Sequence, residues 1–304
     1  MNDISVIMIN YNSSKFTLES IAAVDSQTNA SIKYEIIVVD NNSELDDYMY
    51  LHENFPNKSH IKLYRSSVNT GFGGGNMFGA QYANSKYLLF LNNDTVLQND
   101  CLDILLRYME SNLKVGVATA QNYNEHGEHV ACIEHFKGIR KLLFGRSILE
   151  KFWPKQHPKR KQHYQNPVTA NTVNGAFMFF RTAAFAQTGG FDNNIFLYFE
   201  EMDICYRLLK LGYASVLVPE AKVVHYQGKS IDSSPVIDRE SFLSYLYVLQ
   251  KNYSWAKYQF IRSYLILTFL IKPKKWKLYP VALRGADLSQ SLKQKQEIRY
   301  YNSK

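Results

Sequence analysis

The chain is short of the residues that build covalent or membrane-embedded scaffolds. Its 304 residues include three cysteines, Cys101, Cys132 and Cys205, widely spaced and odd in number. That spacing excludes a disulfide framework and a cysteine-based zinc site, and it fits a reducing cytosol. No apolar run approaches about 18 residues, the usual minimum for a spanning helix. The N-terminus lacks a basic segment and a cleavage-site pattern, so no signal peptide is expected. No internal repeat and no recognised nucleic-acid motif occur. Acidic charge is scarce in two places. Residues 137–163 hold nine Lys/Arg and one Glu, and residues 257–304 hold 11 Lys/Arg and two acids. The rest of the chain is close to neutral, so the formal charge of +8 resides in the tail.

What is present suits a globular protein with a real core. Hydrophobic residues make up 46% of the chain and aromatics 14%, with 22 Tyr. Short, largely apolar segments recur at residues 4–10, 34–39, 61–65 and 86–91, separated by helical patterns near 15–26, 44–54, 76–84 and 99–111. This alternation predicts a mostly parallel sheet covered on both faces. A further strand is expected at 115–120, another at 174–181, and two short ones at 216–218 and 221–225. Ser13 or Ser14 offers an N-cap for the first helix. Helices are expected over 239–271, and residues 272–304 read as basic and partly disordered.

Ligands of such sheets bind outside the carboxyl ends of the strands. Polar clusters fall there: Asn10 to Ser14 after the first strand, Asp40 to Ser43 after the second, and Asn92 to Thr95 after the fourth. A glycine-rich stretch, Asn69 to Asn76, follows the third strand and reads as a tight turn allowing close backbone approach. It is not a dinucleotide fingerprint, because it follows the wrong strand and lacks the last glycine of the spacing. Asp94 at a strand end, beside amide oxygens, is suited to Mg²⁺ or Mn²⁺. Alone it equally suits a surface turn, as a lone His225 suits a structural role.

The densest chemistry lies near residue 200. A Gly-Gly turn leads to the aromatic run Phe196, Leu197, Tyr198, Phe199, and then to Glu200, Glu201 and Asp203 at a helix start. The helix dipole favours ionised acids, while burial and mutual repulsion raise their pKa values. That balance serves a general base near neutral pH. It also serves simple dipole complementation. Asp203 can pair with Arg207 at i,i+4, a supporting role.

Taken together, VIMINYN, IIVVDNNS, NTGFGGGNMFGA, YLLFLNNDT, FLYFEEMDICYRL and VVHYQGKS resemble inverting family 2 glycosyltransferases of the rhamnosyltransferase-like branch, over about residues 3–230. The resemblance implies a GT-A (Rossmann-like) α/β fold, with residues 1–230 as the catalytic domain and 231–304 as a helical basic appendage. It implies nucleotide-sugar binding by Asn10, Asn12, Asp40, Asn69, Gly71, Gly74, Asn76, Asn92 and Asn93, with Asp40 as the base contact. Asp94 is implied as the metal-binding last acid of an acid-x-acid motif whose first position is here Asn92, and His225 as a further metal or diphosphate contact. Glu201 falls on the catalytic base, with Glu200 and Asp203 in support. Relatives often carry Asp there, and Glu reaches about 1.5 Å further. The aromatic run is the expected acceptor-side wall. The implied partners are a nucleotide-diphosphate sugar, favoured as dTDP-L-rhamnose, and a lipid-linked saccharide of bacterial surface polysaccharide synthesis.

The tail mixes Lys/Arg with Trp255, Tyr258, Phe260, Tyr264, Phe269 and Trp276. That composition suits an anionic membrane surface, so the protein is expected in the cytoplasm, peripheral at the inner face of the cell membrane. The alternatives are a nucleotidyltransferase, or a basic nucleic-acid-binding protein. The confinement of positive charge to one loop and the tail argues against nucleic acid.

Overall fold

A computed structural model describes residues 1–226 and 234–300. Its first half alternates strand and helix: β1 (Asn2–Asn10), α1 (Ser14–Gln27), β2 (Tyr34–Asp40), α2 (Leu45–Glu53), β3 (Ile61–Arg65), α3 (Gly71–Ala80), β4 (Ser85–Asn92), β5 (Thr95–Leu97), α4 (Cys101–Ser111) and β6 (Val115–Tyr123). A less regular segment follows, with β7 (His129–Val130), β8 (Ile133–Glu134), α5 (Ile139–Phe152), β9 (Val168–Ala170) and β10 (Thr172–Val173). Then come β11 (Phe177–Arg181), α6 (Thr182–Thr188), α7 (Glu200–Lys210), β12 (Ala214–His225), α8 (Pro235–Asn252), α9 (Trp255–Leu270) and α10 (Tyr279–Arg284).

The main sheet runs β3-β2-β1-β4-β11-β6-β12-β5. β1, β2, β3 and β4 are parallel neighbours, and β11 lies antiparallel between β4 and β6. The apolar strands are explained by burial on both sides. Ile4, Val6 and Met8 face one layer with Ile21 and Val24 of α1 and Leu102 and Leu105 of α4. Ile7 faces the other, with Phe185 of α6 and Ile204, Cys205 and Leu208 of α7. The three cysteines are buried, which pushes the Cys101 thiol up to about 12 and those of Cys132 and Cys205 to about 11. They are not nucleophiles near neutral pH.

Several local expectations are corrected. The glycine-rich stretch is already helical at Gly71, five residues before the helix expected at 76. Two of its glycines pack on the sheet: a Cβ at Gly79 would lie 2.7 Å from Ile7, and one at Gly75 would lie 2.5 Å from Ile9. Ser13 is the first-helix N-cap position but makes no side-chain cap. Asp47 of α2 accepts from the Ser14 N–H at 3.1 Å instead, so a neighbouring helix satisfies that donor. The expected strands at 216–218 and 221–225 are one, β12. The basic segment 137–163 contains α5, broken at Gly145 with φ 72°.

The C-terminal part is more ordered than expected. α8 is capped by Ser234, with Pro235 in its first turn. α8, α9 and α10 pack with Phe199 and Met202 in a single apolar cluster, so this core crosses the 230/231 boundary, which itself lies outside the described residues. Short 3-10 turns, Pro273–Leu278, Leu288–Gln290 and Leu292–Lys295, carry the chain back to the sheet. Buried Glu240 holds this return, accepting from Ser291 Oγ at 2.7 Å and Leu292 N at 2.8 Å. Asn42 Nδ2 then donates to Glu297 O at 3.0 Å, and Arg299 N to Ser67 O at 2.7 Å. The segment 288–300 is thus a strap across the carboxyl ends of β2 and β3. No helix among the described residues is long and apolar enough to cross a membrane.

Candidate active site

At the carboxyl edge, register aligns Asn10, Asp40 and Arg65 on neighbouring strands. Asp40 is fully buried and accepts from Asn10 Nδ2 at 3.0 Å and from Ser43 N at 3.2 Å, with Arg65 Nε at 3.3 Å. Burial raises its pKa, opposed by those partners. Asn10 passes the network on: its Oδ1 accepts from Thr17 Oγ1 at 2.8 Å, and Asn93 Nδ2 donates to the same hydroxyl at 2.8 Å.

Above this network lies a cleft of about 410 Å³, lined by Tyr11, Ser13, Asn41, Asn69, Gly71, Asn76, Asn92 and Asn93. Phe196 and Leu197 form another wall, and Leu292 and Gln296 of the strap complete it. Five of the anticipated ligand residues, Asn69, Gly71, Asn76, Asn92 and Asn93, therefore reach the cleft. Asn10, Asn12, Asp40 and Gly74 are off its lining. Asn12, at φ 52°, instead bridges to α2, its Oδ1 accepting from Glu44 N at 2.8 Å. Gly74 packs against Thr70. Asn41, next to Asp40, lines the cleft. It donates to Asn69 Oδ1 at 3.0 Å and accepts from Thr70 N at 3.1 Å, which holds the loop before α3. Only its place next to Asp40 signalled it in the sequence.

Asp94 and His225 meet beside Asn93. The register of β5 and β12 pairs His225 with Thr95, and His225 Nε2 stands 3.1 Å from Asp94 Oδ1. Asp94 Oδ1 and His225 Nδ1 are buried without a hydrogen-bond partner among the described residues. A buried carboxylate oxygen with a histidine nitrogen close by and no hydrogen bond formed fits a divalent cation. The described residues contain no group of three His, Cys, Asp or Glu that could hold a metal by themselves. Remaining positions around a cation would fall to a diphosphate and water, as is usual for Mg²⁺. Gln227 to Ser230 of the histidine motif lie outside the described residues.

The three acids near residue 200 separate into three environments. Tyr198 and Phe199 take φ of 68° and 72°, two consecutive non-glycine residues in left-handed conformation. Such backbone costs about 1–3 kcal/mol per residue and clusters at functional sites. Here it turns the chain sharply into α7. Glu200 is buried, packs beneath α3 near Gly73, and leaves Oε1 without a hydrogen bond. Burial, then the Glu201 charge, holds its carboxyl well above the usual range. Asp203 is fully buried and saturated by Arg207 Nη2 at 2.6 Å, Lys251 Nζ at 3.0 Å and Asn252 Nδ2 at 2.7 Å. It ties α7 to α8, enclosed by these donors and lining neither cavity.

Glu201 alone of the three lines a cavity, about 210 Å³, with Glu134, His135, Lys137, Arg160, Asn174 and Gly175. Burial raises its pKa; its own backbone N–H and the Lys137 charge oppose the rise. Lys137 was hidden in the basic segment and not singled out by sequence. The aromatic run divides as well. Phe196 and Leu197 line the first cleft, while Phe199 lines the Glu201 cavity. Asn92 N donates to Ala176 O at 2.9 Å, which anchors the turn at 174–176, part of the Glu201 cavity, to the strand that reaches the first cleft.

A mostly parallel sheet flanked by helices, with a polar cleft at the carboxyl ends, defines a GT-A-type α/β domain. Solved structures agree at the level of fold. GalNAc-T7 with UDP, GalNAc and Mn²⁺ superposes with a TM-score of 0.60 at 18% identity, over 85% of this chain and 49% of that one. Staphylococcus aureus TarS 1-349 gives 0.54 at 16% identity, over 90% and 73%. The chain belongs to glycosyl transferase family 2, whose profile matches residues 5–185. Among curated relatives, an N-acetylglucosaminyl-diphospho-decaprenol L-rhamnosyltransferase of Mycobacterium tuberculosis is 30% identical over 117 residues, 36% of this chain and 38% of that protein. Rhamnosyltransferase WbbL of Escherichia coli is 26% identical over 165 residues, 51% and 61%. The matches thus span less than two thirds of either relative.

Proposed function

We propose that this chain transfers a sugar, with inversion, from a nucleotide-diphosphate sugar to a hydroxyl of a lipid-linked saccharide. The favoured donor is dTDP-L-rhamnose and the setting is bacterial surface polysaccharide synthesis, in keeping with the two rhamnosyltransferase relatives. The observation that carries the assignment of the base is the separation of the acids. Glu201 faces a cavity and a cation, Asp203 is saturated, and Glu200 is buried under α3.

Donor binding falls to the cleft formed by Asn41, Asn69, Asn92 and Asn93 under Phe196. Glu201 accepts the proton of the acceptor hydroxyl. The oxygen attacks the anomeric carbon as the bond to the diphosphate breaks on the opposite side, leaving the nucleoside diphosphate, the new glycoside and a protonated Glu201. No covalent enzyme intermediate is needed. Asp94 and His225 are the residues that would hold Mg²⁺ or Mn²⁺, which offsets charge on a leaving diphosphate. Lys137 keeps Glu201 ionised at a lower pH than burial alone would allow.

Membrane contact is part of the proposal. Trp255, Leu267, Ile271 and Trp276 are exposed by 77, 64, 79 and 59%, among the lysines of α9 and the following turn. Such a surface suits the anionic inner leaflet. Because the last residues complete the cleft, point changes such as Ile271→Ser test this better than truncation. Reduced flotation with anionic vesicles, at unchanged nucleotide binding, is the expected result. The donor is tested by screening nucleotide-sugars, dTDP- and UDP-linked, for binding and hydrolysis with and without Mg²⁺ or Mn²⁺. Absence of binding by every nucleotide-sugar would refute the reading.

A further inference from the structure

A third cavity, about 440 Å³, opens between α5, α8 and the turn Pro273–Leu278, and three lysines line it: Lys137, Lys141 and Lys275. Its one carboxylate, Asp238, is already paired with Lys277. Lys141 is paired with Glu134 at 2.8 Å. Lys137 and Lys275 have no ion-pair partner among the described residues. Lys137 is instead fixed over the Phe199 ring, 4.2 Å from its centroid. Three lysines against one carboxylate that is already paired leave this concave space net positive, a site for an anion.

The position narrows the anion. Lys137 and Phe199 line both this cavity and the Glu201 cavity, so the two are adjoining chambers. The donor cleft shares no lining residue with either. Leu142, Phe242 and Leu278 give the third cavity an apolar wall, beside the hydroxyls of Ser241 and Tyr245. Beyond it, Phe144 on α5 and Ile271 and Trp276 after α9 are exposed.

We propose that this cavity seats the diphosphate of the acceptor, held by Lys137 and Lys275 with Lys141 at the edge. The first saccharide then projects toward Glu201, and the prenyl chain leaves over the apolar surface of α5 and α9. The inference rests on the lipid-linked acceptor proposed above. It adds the acceptor's linkage chemistry, a prenyl diphosphate, and the residues that read it. Lysines recognise phosphate oxygens as point charges through charge-assisted hydrogen bonds. The same chemistry could arise from the donor's nucleoside diphosphate, so the experiment must separate the two.

The test uses the full chain, with farnesyl diphosphate as the probe and farnesol and dTDP as comparators, by calorimetry. Lys275→Gln is the first variant, because an exposed lysine is unlike a core residue and the fold survives its loss; Lys137→Gln is the second. The expected result is a loss of farnesyl diphosphate affinity by about 10-fold or more in each variant, with dTDP affinity changed less than about 2-fold. Farnesyl diphosphate affinity that survives both substitutions overturns the site. So does farnesol binding equal to that of the diphosphate, and so does a parallel loss of dTDP, which returns the lysines to the donor. Wild-type protein that binds no nucleotide-sugar, yet binds farnesyl diphosphate through Lys275, supports the site and sinks the transfer reading instead.

Discussion

Gly71→Ala tests the contact that joins the donor cleft to the acid-bearing loop. Gly71 has φ +76°, and an added Cβ would lie 2.0 Å from Phe196 O, where real Cβ contacts essentially never fall under 3.0 Å. Gly189 has a matching φ of +79° with nothing within 4 Å. At either position the left-handed backbone costs an alanine roughly 1–2 kcal/mol. Only at Gly71 must the facing backbone also retreat, by about 1 Å on the contact distances above. That movement breaks the bond from Phe72 N to Phe196 O, 3.0 Å long, worth roughly 0.5–1.5 kcal/mol. G71A should therefore lose about 1.5–3.5 kcal/mol and G189A about 1–2. Transfer should suffer further, because a misplacement of about 1 Å can cost roughly 100-fold in rate. Urea unfolding of both variants, with nucleotide-sugar turnover, is the assay. Equal destabilisation, or wild-type turnover in G71A, would show that α3 and the Phe196 loop are not in contact.

Glu201→Gln should lower transfer by about 10²–10⁴-fold while leaving donor affinity intact; ordinary turnover would remove Glu201 from the base role. In the wild type the acid limb of the pH–rate profile should lie above the ordinary glutamate range, since the base must be ionised and its pKa is raised. Lys137→Gln, which deletes a charge that lowers that pKa, should move the limb to higher pH. Asp94→Asn should abolish the part of donor affinity that depends on Mn²⁺, measured by titration with and without the ion; an unchanged difference would exclude the site. Glu200 has a folded pKa raised above its unfolded value of about 4.3. The native state therefore binds more protons than the unfolded one above about pH 4, and stability falls as pH rises through that window. Glu200→Gln should flatten the fall in Tm as pH rises above about 4; an unaltered slope would refute the burial argument.

The sheet was legible because strands buried on both faces are written as unbroken apolar runs, and β1, β2 and β4 are such runs. The polar clusters at their ends were legible for the same reason, as interruptions where the chain leaves the core. What sequence periodicity missed was decided by contacts between distant parts. Asp47, 33 residues from Ser14, outcompeted the local cap. The glycines of α3 looked like a turn because the packing that makes them useful, against Ile7, Ile9 and Phe196, comes from elsewhere in the chain. The strap was mistaken for partial disorder because its order derives from Glu240, Asn42 and Ser67, not from its own hydrophobicity. Lys137 was passed over as one of nine cations in a basic segment; only the fold puts it beside Glu201.

The strap also sets an order of events in folding. It joins Asn42 to Glu297, 255 positions apart. The free-energy penalty of so long a closure is modest, about 0.6 kcal/mol for each doubling of length. Its penalty in time is larger, since contacts of great sequence separation form late. The pairings of β1 with β2 and of β2 with β3 are comparatively local, so the sheet edge is expected to assemble before Leu292 and Gln296 reach the cleft. Upon dilution from denaturant, strand and helix signals should return before affinity for nucleotide does. The interval between them is the time in which this protein is folded at its centre and unfinished at its working surface.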